Sequence, residues 1–236
     1  MLLTLPIREV LPATPRARVV RLDLSGRAFS YAAGQAVFIG AHGQAVRKPY
    51  SIAVSPEEAV RDSWLELLVG VDERGVEASP VALEVGALVD VEGPVGSFTF
   101  PPEPAERRFL FIAGGTGISP LRAMLRHALV LPHREVGLLY SARTPEDFAY
   151  ERELRALARE GRIELRQTIT RTGGDDSWTG GRGRIGRALL EPLVHDAATL
   201  CFVCGPRTLV DETTKLLQEL GVPRPRIRVE EWSAST

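Results

Sequence analysis

Along the first hundred residues, apolar positions come in short bursts and glycines fall between or beside them. Val20, Leu22 and Leu24 alternate with polar neighbours until Gly26 breaks the pattern. Period-two alternation sends successive side chains to opposite faces, so this stretch predicts a half-buried strand. Residues 36–39, 51–54, 64–71 and 88–91 are further short strand candidates. Gly34, Gly43, Gly75, Gly86, Gly93 and Gly96 punctuate them. Many short strands without a long helical period predict an antiparallel barrel or sandwich.

The pattern changes after the proline-rich PPEPAE, residues 101–106, which reads as a linker. Strand candidates at 109–113, 136–140, 163–169, 200–203 and 227–230 now alternate with helix candidates at 121–131, 150–158, 185–193 and 209–220. Such alternation predicts a parallel sheet covered by helices on both faces. The chain therefore divides into a β domain, 1–100, a linker, 101–106, and an α/β domain, 107–236.

Composition narrows the function classes. Hydrophobic residues make up 44% and charged residues 25% of the 236, as in ordinary globular domains. Lys plus Arg is 29 and Asp plus Glu is 30, which argues against a globally basic nucleic-acid binder. No apolar run reaches the length of a bilayer span, and the N-terminus lacks a signal-peptide pattern. A cytoplasmic location is the expectation. Cys201 and Cys204 supply neither a disulfide scaffold nor the four thiolates of an iron–sulfur cluster, and no metal site is expected. None of the four histidines joins a motif, and neither Gly-x-Ser-x-Gly nor GxxxxGK[S/T] occurs.

One local pattern carries chemistry. The apolar strand at 109–113 runs into Gly114, Gly115, Thr116 and Gly117, and a helix is expected to begin near Ser119 and Pro120. Ser suits a helix N-cap and Pro the first helical position. Glycines let the backbone approach a ligand, and free N–H groups at a helix start suit a pyrophosphate.

This turn resembles the nicotinamide-nucleotide half of the ferredoxin–NADP reductase superfamily. Three further segments match in order. Lys48-Pro49-Tyr50-Ser51 resembles the family's Arg-x-Tyr-Ser/Thr flavin motif, residues 93–98 (GPVGSF) its GPxGxF segment, and Val203-Cys204-Gly205-Pro206 its Cys-Gly-Pro motif. The resemblance spans nearly the whole chain. It implies a six-stranded antiparallel flavin-binding barrel followed by an α/β nucleotide-binding domain, with FAD as cofactor and NADPH or NADH as co-substrate.

The resemblance also assigns roles. Tyr50 packs along the flavin, Ser51 lies beside its redox edge, and Ile52, next in the motif, is counted among the flavin-binding residues. Lys48 stands where the family has arginine and neutralises a flavin phosphate, with Arg47 as a neighbour able to share that duty. Gly75, Ala78 and Ser79 resemble the loop that holds the flavin pyrophosphate, although their spacing is one residue longer. Cys204, Gly205 and Pro206 belong to the hydride-transfer locus. Glu230 matches an active-site glutamate, and Trp232 a terminal aromatic that stacks on the flavin. Thr170 and Arg171 resemble a Ser-Arg pair that reads the NADPH 2′-phosphate, and Arg143 reaches the adenosine. Asp175 and Asp176 oppose a phosphate, so the lean toward NADPH is slight.

The implied activity is hydride transfer between NAD(P)H and bound FAD, with electrons passed to ferredoxin, flavodoxin or another partner protein. A reductase of free flavin, a subunit of a multicomponent enzyme and a non-catalytic nucleotide-binding module stay open. The sequence leaves the oligomeric state undecided.

Overall fold

The computed structural model describes residues 1–72, 81–171 and 177–231. The chain forms two units, one of Met1–Pro102 with Arg122–His127 and one of Glu103–Leu121 with Ala128–Thr236.

The first unit holds β1 (Leu2–Thr14), β2 (Ala17–Asp23), β3 (Ala36–Ala41), β4 (Lys48–Ser51), the helix α1 (Pro56–Asp62), β5 (Trp64–Gly70) and β6 (Leu88–Val95). The six strands form one antiparallel sheet in the order β4-β3-β6-β1-β2-β5. An Ile52–Leu67 bridge joins the chain after β4 to β5, so the two edge strands meet and the sheet curls into a barrel. Closure matters physically, because it removes the unpaired edges that an open sheet exposes. Strand β1 serves both sides: Leu2–Pro6 pair with β6, and Ile7–Thr14 pair with β2. Alternate residues fill the interior, with Leu5, Ile7, Val20, Leu22, Val37, Ile52, Leu65, Leu67 and Val91 all at most 2% exposed.

Helix α1 is an addition to the expected all-strand grammar. Ser55 caps it by accepting the Glu58 N–H at 3.3 Å, Pro56 opens it, and left-handed Ser63 ends it. Buried charge also braces the unit. Arg122 donates to the Ala53 carbonyl at 2.7 Å and to Glu66 at 3.1 Å. Glu66 also accepts from Arg21 at 2.8 Å, and Arg21 reaches Glu9.

The second unit holds β7 (Arg108–Gly114), a 3-10 turn (Gly115–Gly117), the two ends of α2 (Ile118–Ala128, whose Arg122–His127 belong to the first unit), β8 (Glu135–Ala142), α3 (Glu151–Arg159), β9 (Glu164–Ile169), β10 (Gly181–Arg182), α4 (Arg187–Leu190), β11 (Leu200–Gly205), α5 (Arg207–Glu219) and β12 (Ile227–Glu231). All pairings in its sheet are parallel, in the order β10-β9-β8-β7-β11-β12. Strands β7, β8 and β11 are buried almost end to end, as expected of strands covered on both faces. Phe111 and Phe202 stack across β7 and β11 with centroids 5.3 Å apart. The chain winds outward from β7 to β10, then returns to lay β11 on the other side of β7. That reversal creates a switch point beyond the carboxyl ends of β7 and β11, where open α/β sheets bind ligands.

Candidate functional site

In the first unit the strand register sets the candidate flavin residues. Lys48 faces Ile39, Pro49 faces Phe38, Tyr50 faces Val37 and Ser51 faces Ala36. Directly opposed residues share a face, so Lys48 and Tyr50 project to one side and Pro49 and Ser51 to the other. Tyr50 is half-buried and packs on the barrel core, while Lys48 and Ser51 are also half-buried. A partly exposed ring, a hydroxyl and an ammonium within four residues are the donor set that a flavin ring, its polar edge and a phosphate require, so these residues fit FAD.

Two expectations change here. Ile52 is fully buried and closes the barrel against Leu67, so its side chain is core rather than ligand contact. Arg47 is engaged by Asp90 at 3.8 Å and Glu92 at 3.5 Å, so its charge is already partnered within the barrel. Gly75, Ala78, Ser79 and Trp232 lie outside the described residues, as do Asp175 and Asp176.

In the second unit the glycine turn meets the Cys-Gly-Pro segment at the switch point. A Cβ on Gly205 would lie 3.2 Å from the Gly114 backbone, and one on Gly114 would lie 2.7 Å from a Leu209 methyl. Gly115 adopts φ +55°, a left-handed backbone that favours glycine. Helix α2 begins at Ile118, directly after the 3-10 turn, so Ser119 and Pro120 sit within its first turn rather than at its cap. The proline is tolerated there because first-turn N–H groups have no partner within the helix. Ser119 is buried.

A cleft of about 240 Å³ opens at this end of the sheet, lined by Gly114, Gly115, Arg143, Thr170, Pro206 and their neighbours. Thr116 and Arg171 flank these residues in the chain. The Thr170 hydroxyl donates to the Ala142 carbonyl at 3.3 Å, and the Arg171 N–H donates to the Arg143 carbonyl at 2.8 Å. Arg143 and Arg171 thus leave the ends of β8 and β9 side by side, both exposed. Arg184 and Glu212 also line the cleft and pair at 3.0 Å. A larger cleft of about 610 Å³ lies at the amino ends of β7, β8 and β9. Arg108 pairs with Glu135 there, and the His195 ring lies 3.6 Å from Glu135 and 3.8 Å from Glu164. This larger cleft lacks a glycine-rich turn opening a helix, so the smaller cleft is the nucleotide candidate.

Cys204 and Glu230 face each other across β11 and β12, with the sulfur 3.7 Å from a carboxylate oxygen. Burial pushes both groups up, the thiol further because a carboxylate adjoins it. That direction favours the thiol over the nucleophilic thiolate.

Residues 5–100 match the family model of an oxidoreductase FAD-binding domain, and residues 111–215 that of an oxidoreductase NAD-binding domain. Ferredoxin--NADP reductase B of Sorangium cellulosum is 37% identical over 237 residues, covering 94% of each chain. The chain belongs to the ferredoxin–NADP reductase family. The glycine betaine monooxygenase reductase subunit of Chromohalobacter salexigens is 31% identical, over 82% of this chain and 53% of its own. The crystal structure of Amycolatopsis cytochrome P450 reductase GcoB superposes with a TM-score of 0.83 at 28% identity, over 98% of this chain and 70% of that one.

Like other members of the ferredoxin–NADP reductase family, this chain is an FAD-containing NAD(P)H reductase. No described helix is long and apolar enough to cross a membrane. Sequence reasoning singled out the family motifs but passed over the Arg122–Glu66 pair and the Arg184–Glu212 pair. Each joins residues far apart in the chain, and neither carries a local motif.

Proposed function

We propose that this reductase takes NADPH in preference to NADH and passes electrons to a small carrier protein such as ferredoxin or flavodoxin. The observation that supports the coenzyme choice is the side-by-side exit of Arg143 and Arg171 from β8 and β9. Two adjacent exposed guanidinium groups suit a 2′-phosphate through charge-assisted hydrogen bonds. The carrier is inferred from the relative that is named for ferredoxin.

Bound FAD supplies a hydride acceptor and releases the electrons singly or as a pair. On this reading residues 1–100 hold the flavin and residues 107–236 the coenzyme, with 101–106 between them. Tyr50 packs on the flavin ring, Ser51 offers its hydroxyl to the ring's polar edge, and Lys48 neutralises a phosphate. Gly114, Gly115, Thr116 and Gly117 receive the coenzyme pyrophosphate on backbone N–H groups, with Ser119 and Pro120 behind them in the first turn of α2. Pro206 lines the cleft, and Gly205 lets β11 pack closely on the Gly114 backbone behind it. Cys204, neutral and compact, gives the nicotinamide a surface without a charge. Glu230, whose pKa burial raises, is the group on this reading that holds or returns a proton beside that surface.

Anaerobic mixing of the purified protein with NADPH and with NADH, followed by flavin absorbance, tests the reading. Faster bleaching by NADPH of a protein that is yellow as isolated supports it. A colourless protein that reduces added flavin would identify a free-flavin reductase instead, and equal rates would remove the NADPH preference.

A further inference from the structure

Glycine lets the nucleotide turn bend, but a turn with many shapes must lose entropy when a ligand selects one. The Gly115 carbonyl is held in place from two directions. The Ile118 N–H donates to it, and so does the Tyr140 hydroxyl at 3.1 Å. Tyr140 lies on β8 opposite Ala113, the residue that precedes the turn, and its side chain is fully buried. The same hydroxyl accepts the Ala149 N–H at 3.2 Å. A carbonyl only accepts and an amide N–H only donates, so the hydroxyl proton has a single direction, toward Gly115.

This has consequences at both ends. The peptide unit is planar and trans, so fixing the Gly115 carbonyl also fixes the Thr116 N–H, which points the opposite way. Ala149 closes the segment that begins at Arg143, so one buried oxygen ties the glycine turn to the loop that carries a cleft arginine. Phe148 meets the Tyr140 ring edge-on with centroids 4.9 Å apart and limits its movement.

We propose that Tyr140 is a positioning residue for the pyridine nucleotide: its buried hydroxyl sets the Gly115–Thr116 peptide and the Arg143 loop before the coenzyme arrives. The inference rests on the reading of this cleft as the NAD(P)H site. Tyr140 acts through the backbone, so it affects binding more than the chemical step.

The test uses the flavin-loaded protein and calorimetric titration with NADP+ and NAD+, beside steady-state kinetics and thermal melting. Tyr140→Phe keeps the ring and removes only the oxygen. It is expected to raise both dissociation constants and KM about 3- to 10-fold, the factor that one net hydrogen bond represents. Turnover at saturation should change little, as for lost uniform binding. Ile227→Ala is the control: it opens the core at the amino end of β12, opposite Cys201 and away from the hydroxyl's partners, so it should lower Tm and leave the dissociation constants alone. An unchanged dissociation constant in Tyr140→Phe, or an equal rise in Ile227→Ala, would overturn the positioning role. Wild-type protein that binds neither nucleotide would instead overturn the reading of the cleft, and the inference with it.

Discussion

Gly117 lies so close to Cys204 that a Cβ built on it would sit 2.3 Å from the Cys204 carbonyl oxygen. The carbonyl carbon and the Gly205 nitrogen would lie at 2.6 and 2.9 Å. These atoms are backbone, so they have no rotamer by which to yield. The third glycine of the turn is therefore needed first by the protein itself. It brings the ends of β7 and β11 together at the switch point.

Gly117→Ala should accordingly cost stability, about 1 to 3 kcal/mol if the strands part slightly, as in other overpacked sites. Coenzyme affinity should fall with it, because the turn and the Cys-Gly-Pro segment move apart. Flavin content should stay near one per chain. An unchanged Tm would show that the backbone yields more easily than this contact implies.

The glycine turn and the Cys-Gly-Pro segment were legible in the sequence because each is local: a few residues dictate a backbone shape that little else produces. The alternation of strand and helix after residue 106 was legible for the same reason. Strand β1 was not, since Pro6 and Pro12 interrupt its pattern, and proline usually demotes a strand. Both are accommodated opposite Leu88 and Arg18. Helix α1 was hidden by its length, although Ser55-Pro56 is a cap signal. The engagement of Arg47 by Asp90 and Glu92 depends on three strands meeting, which no window of sequence displays.

Arg143 and Arg171 are expected to divide the coenzymes. Either Arg143→Ala or Arg171→Ala should raise KM for NADPH by about tenfold or more, since a charge-assisted hydrogen bond is worth about 1.5 to 3 kcal/mol. KM for NADH should barely move, because NADH lacks the phosphate. Steady-state kinetics with both coenzymes checks this, and equal changes for the two would deny the arginines a role in reading the phosphate.

The Arg122–Glu66 pair is nearly dry, with side chains 10% and 3% exposed. Removing Arg122 leaves the buried Glu66 carboxylate to Arg21 alone, so Arg122→Met should cost up to about 3 kcal/mol, less than a fully unpaired buried charge would. Joint replacement, Arg122→Met with Glu66→Leu, should recover part of that loss, and less than all of it because Arg21 also relies on Glu66. Chemical denaturation of the three variants measures the coupling directly. Additive losses would mean that the pair does not act as a unit.

Asp90 gives a stability signal in acid. It pairs with His42 at 2.9 Å and accepts hydrogen bonds from Thr4 at 2.8 Å and the Gly43 N–H at 3.0 Å. These contacts, the His42 hydrogen bond foremost, lower its pKa to about 2. A carboxylate that is a stronger acid in the folded state stabilises the fold above its ordinary pKa, and the benefit fades as pH falls toward the lowered value. The denaturation midpoint of the wild type should thus fall more steeply than that of Asp90→Asn between about pH 4 and pH 2, the window between the ordinary carboxylate pKa and the lowered one. Parallel curves would remove Asp90 from the acid response.

Glu230 should act in the opposite sense. Burial disfavours its charged form, and the Cys204 hydrogen bond only partly offsets this, so its pKa is raised. The folded protein then holds this proton more tightly than the unfolded chain does. Its contribution is complete below the ordinary carboxylate range and is lost as pH rises through the raised value. Glu230→Gln keeps the shape and cannot ionise. Wild-type stability should therefore decline relative to the variant as pH climbs from the ordinary carboxylate range through the raised value, and then run parallel to it. The same substitution removes the neighbouring charge that helps to keep the Cys204 thiol protonated. Alkylation of Cys204 at alkaline pH should then quicken, although burial still slows it. Denaturant midpoints across the pH range, paired with alkylation rates on the folded protein, read the two effects separately. If stability tracks the variant at every pH and the thiol reacts no faster, the carboxyl ionises freely in the fold, and the proton-holding role given to Glu230 is lost.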